Sequence, residues 1–167
     1  TPLVPVGMMG GGKSTVGRMV AAELDRPRFD SDEMIEERTG RSEREIWSAV
    51  GEAAFRALET QTLLEALAEP EQSVIAAAGG VVLSERNRQA LQGADAHVVW
   101  LLADVDVLLD RVRNGMHRPL LDDDPEGTLR RMYVEREPLY QEVADAIVSV
   151  DHRSPNDVAK AVLRCCA

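Results

Sequence analysis

Short apolar runs alternate with longer stretches of helical periodicity along this chain of 167 residues. Leu3–Val6, residues 73–78 and His97–Leu102 are continuous apolar segments, the pattern of strands buried on both faces. Residues 146–150 form another strand-like run, and Arg28-Phe29 a shorter one. Between them, Val16, Met19, Val20 and Leu24 recur at helical spacing. Phe55, Leu58, Leu63, Ala66 and Leu67 make the apolar stripe of a longer helix. Ser42 with Glu45 reads as a capping box opening a helix, while Asp124-Pro125 and Ser154-Pro155 each pair an N-cap with proline at the first helical position. Further helices are expected over about 84–91 and 104–112, and a short one ending near Thr39-Gly40. Residues 113–124 carry glycine, proline and acids without an apolar period and read as a surface loop. This alternation implies an α/β fold, a parallel sheet covered by helices on both faces, with residues 1–167 as a single domain. Trp47 and Trp100 fall in apolar stretches and read as core. Pro2 and Pro5 bracket the first strand, and Pro5 is expected where its nitrogen faces away from a partner strand.

At 44% hydrophobic and 29% charged residues, the composition is that of a globular protein with its own core. No apolar run reaches membrane-spanning length, so a membrane partner is not expected. A net charge of −10 argues against nucleic acid, whose binding is driven by releasing counterions from phosphates. The two cysteines, Cys165 and Cys166, are adjacent and read as reduced thiols on a terminal helix, which points to the cytoplasm.

The candidate chemistry begins at Gly7-Met8-Met9-Gly10-Gly11-Gly12-Lys13-Ser14-Thr15, which fits the phosphate-binding pattern G-x-x-x-x-G-K-[ST] between a strand and a helix. Glycines let successive N–H groups turn inward and phosphate oxygens approach closely. Lys13 can reach β- and γ-phosphates, the Ser14 hydroxyl can complete a magnesium shell, and the helix adds its positive end. A flexible glycine turn beside an ordinary lysine would require neither this spacing nor these flanking elements. Lys13 is also one of only two lysines in the chain, the other being Lys160. In so acidic a protein, lysine, arginines and magnesium must reverse the field within one cleft.

Asp30 and Asp32 stand two apart at the expected carboxyl end of a strand, so in extended chain they face one side. Ligands of open α/β sheets bind at that edge. Asp30 could instead cap the following helix. Beside a phosphate loop the pair gains a second reading, one carboxylate toward magnesium and one toward an acceptor hydroxyl.

Together with the loop, several further segments resemble the shikimate kinase family. They are Phe29-Asp30-Ser31-Asp32, Thr39-Gly40-Arg41, Ala54-Phe55-Arg56, Gly79-Gly80, His117-Arg118-Pro119-Leu120-Leu121 and Arg136-Glu137-Pro138-Leu139-Tyr140. The resemblance covers nearly the whole chain, and the Arg-Pro-Leu-Leu and Arg-x-Pro-Leu-Tyr segments make it far more specific than the loop alone. It implies a three-layer α/β/α fold with a five-stranded parallel sheet, like the nucleoside monophosphate kinases, and a mobile lid over about 113–124. It implies a cytoplasmic enzyme of aromatic amino acid biosynthesis, acting as a monomer, that moves the γ-phosphoryl of ATP to the 3-hydroxyl of shikimate. By that resemblance Gly10, Gly11, Gly12, Lys13, Ser14 and Thr15 hold the phosphates, and Ser14 with Asp30 holds Mg2+, the aspartate through water. Asp32, Arg56, Gly79, Gly80 and Arg136 take shikimate, Arg118 descends with the lid, and Arg111 and Arg153 flank the adenine. Lys13, Asp32 and Arg118 form the catalytic set.

The residue types suit these tasks. Arg56 and Arg136 offer planar forks for a carboxylate, and Asp32 can orient a hydroxyl and take its proton. Gly79 and Gly80 would let backbone amides approach the ring. Taken singly, Arg56 would read as a solvated helix residue and Arg111 as surface charge. Where the family has three glycines, this chain has Ala78-Gly79-Gly80, and a methyl group there could narrow the acceptor pocket. The alternatives are a kinase for another polyol or sugar acid such as gluconate, and a non-catalytic ATP-binding regulator.

Overall fold

Parallel strands cannot be joined by tight turns, so successive strands here are joined by helical crossovers. The computed structural model describes residues 1–8, 12–113 and 124–165. Its strands β1 (Leu3–Val6), β2 (Arg28–Asp30), β3 (Val74–Ala76), β4 (His97–Leu102) and β5 (Ala146–Ser149) form one parallel sheet in the order β2-β3-β1-β4-β5. The helices are α1 (Lys13–Leu24), α2 (Ser31–Thr39), α3 (Glu43–Leu67), α4 (Glu85–Gly93), α5 (Val105–Arg113), α6 (Pro125–Val143) and α7 (Pro155–Cys165), with a 3₁₀ turn at Gly79–Leu83. On one face α1 and α7 pack together against the sheet; α3, α4 and α6 cover the other. Val4, Val6, Ile75 and Val99 are fully buried between the layers, which is why their segments show no polar alternation. No helix among the described residues is long and apolar enough to cross a membrane.

Strand β1 lies between β3 and β4, and the chain leaves it first toward β2 and later toward β4. Such a reversal opens a crevice at the carboxyl ends of the strands, where the glycine loop follows β1. The expected caps form. Ser42 Oγ accepts from Glu45 N at 3.2 Å and Glu45 Oε1 from Ser42 N at 3.2 Å. Asp124 accepts from Gly127 N and Ser154 from Asp157 N, both at 3.1 Å. Gly40 ends α2 in the left-handed region.

Four expectations need correction or completion. The nitrogen of Pro5 does not face away from a partner: Leu3 N donates to Ser73 O and Ala77 N to Pro5 O, so positions 3 and 5 both turn toward β3. The missing N–H removes one rung there, and the β1–β3 pairing rests on the single register pair Leu3↔Val74. Strand β2 stops at Asp30, so Asp32 lies in the first turn of α2 and strand periodicity does not align the two carboxylates. Trp100 belongs to the main core, whereas Trp47 is half-buried beside a separate small cluster of Ile35, Ile46 and Phe55. Ala78 adopts φ −58 and ψ 147, angles open to any L residue, so its methyl group introduces no backbone strain.

The helix opened by Ser42 and the longer helix carrying Phe55 to Leu67 run on as one element with a break between them. Helix α3 bends at Gly51, whose φ of 86 and ψ of 176 are almost confined to glycine. Gly10, Gly11, Arg118, Cys166 and nearly all of the expected lid lie outside the described residues.

Candidate active site

Gly12 caps α1 in the left-handed region and turns the loop into the helix. Lys13 Nζ donates to Gly7 O at 2.7 Å and to Met8 O at 3.0 Å, so the lysine bridges back across the loop. Ser14 and Thr15 are exposed in the first turn. A methyl group built on Gly12 would stand 3.7 Å from Arg111 Nη1, which places that α5 guanidinium against the phosphate loop. Arg153 is exposed after β5, next to His152 at φ 58. The two loops on that side are tied where Asp104 N donates to Asp151 Oδ1 at 2.9 Å.

Asp30 caps α2 and also meets the phosphate-loop serine. Its Oδ1 accepts from Asp32 N at 3.1 Å and Glu33 N at 3.2 Å, capping α2, while Oδ2 accepts from Ser14 Oγ at 2.5 Å. Two hard oxygen donors therefore meet beside the loop. The Ser14 hydroxyl can keep its proton on Asp30 and turn a lone pair to a cation. That donor set suits Mg2+, which keeps most of its waters and takes few protein ligands. Among the described residues no group of three His, Cys, Asp or Glu is placed to cage a metal, and such a cage is not what this chemistry needs.

Several of the residues expected to take the acceptor gather beyond the carboxyl end of β3. Arg56 Nη1 donates to Glu59 Oε1 at 2.6 Å, one turn along α3, and Glu52 Oε1 lies 3.8 Å from Arg56 Nε. The Arg56 guanidinium stacks 5.5 Å from the Trp47 ring centroid and 5.7 Å from that of Phe55. A Cβ at Gly80 would overlap Arg56 Nη1, so glycine at this position admits the guanidinium to the backbone. Arg56 thus comes close to the Gly80 backbone. An open cleft of about 220 Å³ reaches the same group from the α4 side, lined by Glu52, Glu59, Gly80 and Asn87 among others.

Arg136 on α6 is buried, and its Nε has no hydrogen-bond partner; the same holds for Arg56 Nε. Unpaired buried donors are costly, and a carboxylate is the group that would satisfy both forks. Between them Tyr140 donates its hydroxyl to Gly79 O at 2.6 Å and stacks on Trp100 at 5.8 Å. Burial pushes that hydroxyl up to about 12, against the pull of Arg136 and Arg56, so it stays a donor and holds the 79–80 peptide.

Glu59 was not anticipated. It is 2% exposed, and burial pushes its carboxyl up to about 7; Arg56 draws it down, while Asp32 and Glu43 add to the rise. These influences also place the Asp32 carboxylate within electrostatic reach of the Arg56–Glu59 pair. An acid one turn beyond Arg56 on the buried edge of an apolar stripe was the available signal. Tyr140 lies in the Arg-x-Pro-Leu-Tyr segment, and Trp47 lies at the edge of the small cluster and stacks on Arg56.

Known proteins of similar sequence bear on this arrangement. The sequence model of a family described as shikimate kinase matches residues 9–167. The shikimate kinase of Chromohalobacter salexigens is 44% identical over 163 residues, 97% of this chain and 89% of that protein. That of Burkholderia lata is 45% identical over 159 residues, 95% of this chain and 85% of the relative. A solved structure of shikimate kinase from Acinetobacter baumannii in complex with shikimate superposes with a TM-score of 0.93 at 36% identity, covering 99% of this chain and 92% of the other.

Proposed function

The chain belongs to the shikimate kinase family, and from that premise we propose that it transfers the γ-phosphoryl group of ATP to the 3-hydroxyl of shikimate, giving shikimate 3-phosphate and ADP. The observation that carries this reading is the buried Arg136 and the half-buried Arg56, each with a buried Nε that makes no hydrogen bond, near Gly79–Gly80 and beside a phosphate loop. An acceptor bearing one carboxylate and ring hydroxyls suits that seat, and shikimate is such a molecule. The same two forks would also suit gluconate, but family membership favours shikimate. A regulator that only bound ATP would need neither Asp32 nor the acceptor-side arginines.

Shikimate's carboxylate would be gripped by Arg56 and Arg136, with Trp47 and Phe55 bounding the first fork and Glu59 holding its other edge. The Gly79–Gly80 backbone, fixed by Tyr140, would line the ring. Asp32, in the first turn of α2, would orient the 3-hydroxyl in line with the γ-phosphorus and take its proton. Gly10, Gly11 and Gly12 would cradle the phosphates through backbone N–H groups, with Thr15 closing the first turn of α1. Lys13 would exchange its loop carbonyls for phosphate oxygens and follow the charge that develops during transfer. Mg2+, held by Ser14 directly and by Asp30 through water, would supply neutralisation of the β- and γ-oxygens. Arg118 would reach the phosphates from the lid at about 113–124, excluding water, and Arg111 and Arg153 would flank the adenine. The enzyme would work in the cytoplasm as a monomer.

The test is product identification after incubation with ATP, Mg2+ and shikimate, beside a parallel reaction with gluconate. Shikimate 3-phosphate and ADP in equal amounts are expected. ATP turnover that ignores shikimate but appears with gluconate would overturn the acceptor, and binding of ATP with no turnover on either would overturn the activity.

A further inference from the structure

Arg28 and Asp30 sit two residues apart on the edge strand β2, so strand periodicity turns both side chains to one face. Arg28 Nη1 lies 3.8 Å from Asp30 Oδ2, the oxygen that accepts the Ser14 hydroxyl at 2.5 Å. The other arm of the fork, Nη2, is held 3.2 Å from Glu33 Oε2. At 3.8 Å the first contact is too long for a hydrogen bond, and Nη1 is buried without any other acceptor. Asp30 already takes three hydrogen bonds on its two oxygens. The guanidinium thus gives Asp30 a charge and no bond. Glu33 anchors the other arm of the fork and keeps the guanidinium short of Asp30.

We propose that Arg28 is the resident counter-charge of the Ser14–Asp30 cation site and weakens its hold on a divalent ion, so that the ion enters with the nucleotide and not alone. The inference rests on the reading of Ser14 and Asp30 as the metal-holding pair. Before nucleotide binds, Arg28 neutralises a carboxylate that is 4% exposed and would otherwise bind free cations. Once a divalent ion occupies the pair, the fixed positive charge a few ångströms away repels it. The phosphates of the nucleotide offset both charges, so metal and nucleotide favour each other's binding. Lys13 and Arg111 lie on the loop side of the site, whereas Arg28 approaches Asp30 from the edge of the sheet and is a positioning residue for charge.

The experiment is calorimetric titration of ADP into the whole chain, once with a chelator and once with saturating Mn2+, the ratio of the two dissociation constants giving the metal–nucleotide coupling. Arg28→Gln and Arg28→Leu, both suited to an edge strand, let the ion bind without nucleotide and should lower that ratio about threefold to tenfold, the size of effect for a partly exposed charge. Arg28→Lys, which keeps the charge, should stay within about twofold of the unaltered protein. A coupling ratio equal in all four proteins overturns the inference, as does a fall in the lysine variant matching that of the neutral ones. A ratio of one in the unaltered protein would remove the cation site itself and this role with it.

Discussion

The guanidinium of Arg56 lies 5.5 Å from the ring centroid of Trp47, nine residues earlier in the same helix. On an unbroken α-helix that separation amounts to two and a half turns, leaving the two side chains on opposite faces and about 13 Å apart along the axis. The bend at Gly51 brings them together. A Cβ at Gly51 would meet nothing within 4 Å, so glycine is required there by backbone conformation and not by crowding. Gly51→Ala is expected to lower stability by about 1–3 kcal/mol through strain at these angles. It should also raise the KM for shikimate more than that for ATP, because Trp47 would shift on Arg56. Denaturant unfolding with separate KM measurements checks this; unchanged stability would mean the bend is not held by its dihedral angles.

Arg56→Lys should weaken shikimate binding and leave the KM for ATP nearly unaltered. A single ammonium cannot donate to a carboxylate through a fork while also holding Glu59. It also loses the planar stack on Trp47 and Phe55. An unchanged KM for shikimate would take Arg56 out of the acceptor seat.

Glu59 makes stability depend on pH. Its folded value of about 7 stands above the ordinary 4.5 of a glutamate, so between these limits the native state keeps a proton that the unfolded chain has released. Stability from the neutral buried carboxyl is fully present below pH 4.5 and declines as pH rises through 7, by roughly 3 kcal/mol. Glu59→Gln should flatten this slope. Urea unfolding at pH 5 and pH 8 measures it, and parallel slopes in both proteins would show that Glu59 is ionised throughout.

Lys13→Ala should reduce kcat by on the order of 10²–10³, the range for one lost transition-state donor. Near-full activity in this variant would mean that the ammonium does not leave Gly7 and Met8 for the phosphates.

Asp32→Asn should reduce kcat by roughly 10²–10⁴ if the carboxylate orients and deprotonates the hydroxyl. A change below about threefold would leave it only as a favourable charge in the first turn of α2.

The glycine loop, the helix caps and the strands were legible in the residues because each depends on neighbours a few positions away. Ser42 and Glu45 satisfy each other's backbone groups within one turn. A run such as residues 97–102 leaves no face for water, whichever strands lie beside it. The family segments marked which arginines and aspartates to watch.

What the residues alone determined about this protein is therefore a βα-alternating kinase with a phosphate loop and a set of candidate charges. The tertiary structure decided how those charges are used. Strand periodicity did not align Asp30 and Asp32, because the helix begins one residue sooner; a cap and a hydroxyl contact hold Asp30 instead. Arg111 against Gly12, Tyr140 on Gly79 and Arg56 in the space above Gly80 each join distant segments. Burial of Glu59 and the approach of Arg28 to Asp30 likewise follow from how the layers close. The physical reason is range: hydrogen bonding and periodicity act within a turn or a strand, whereas desolvation and charge pairing depend on every element that packs around the group.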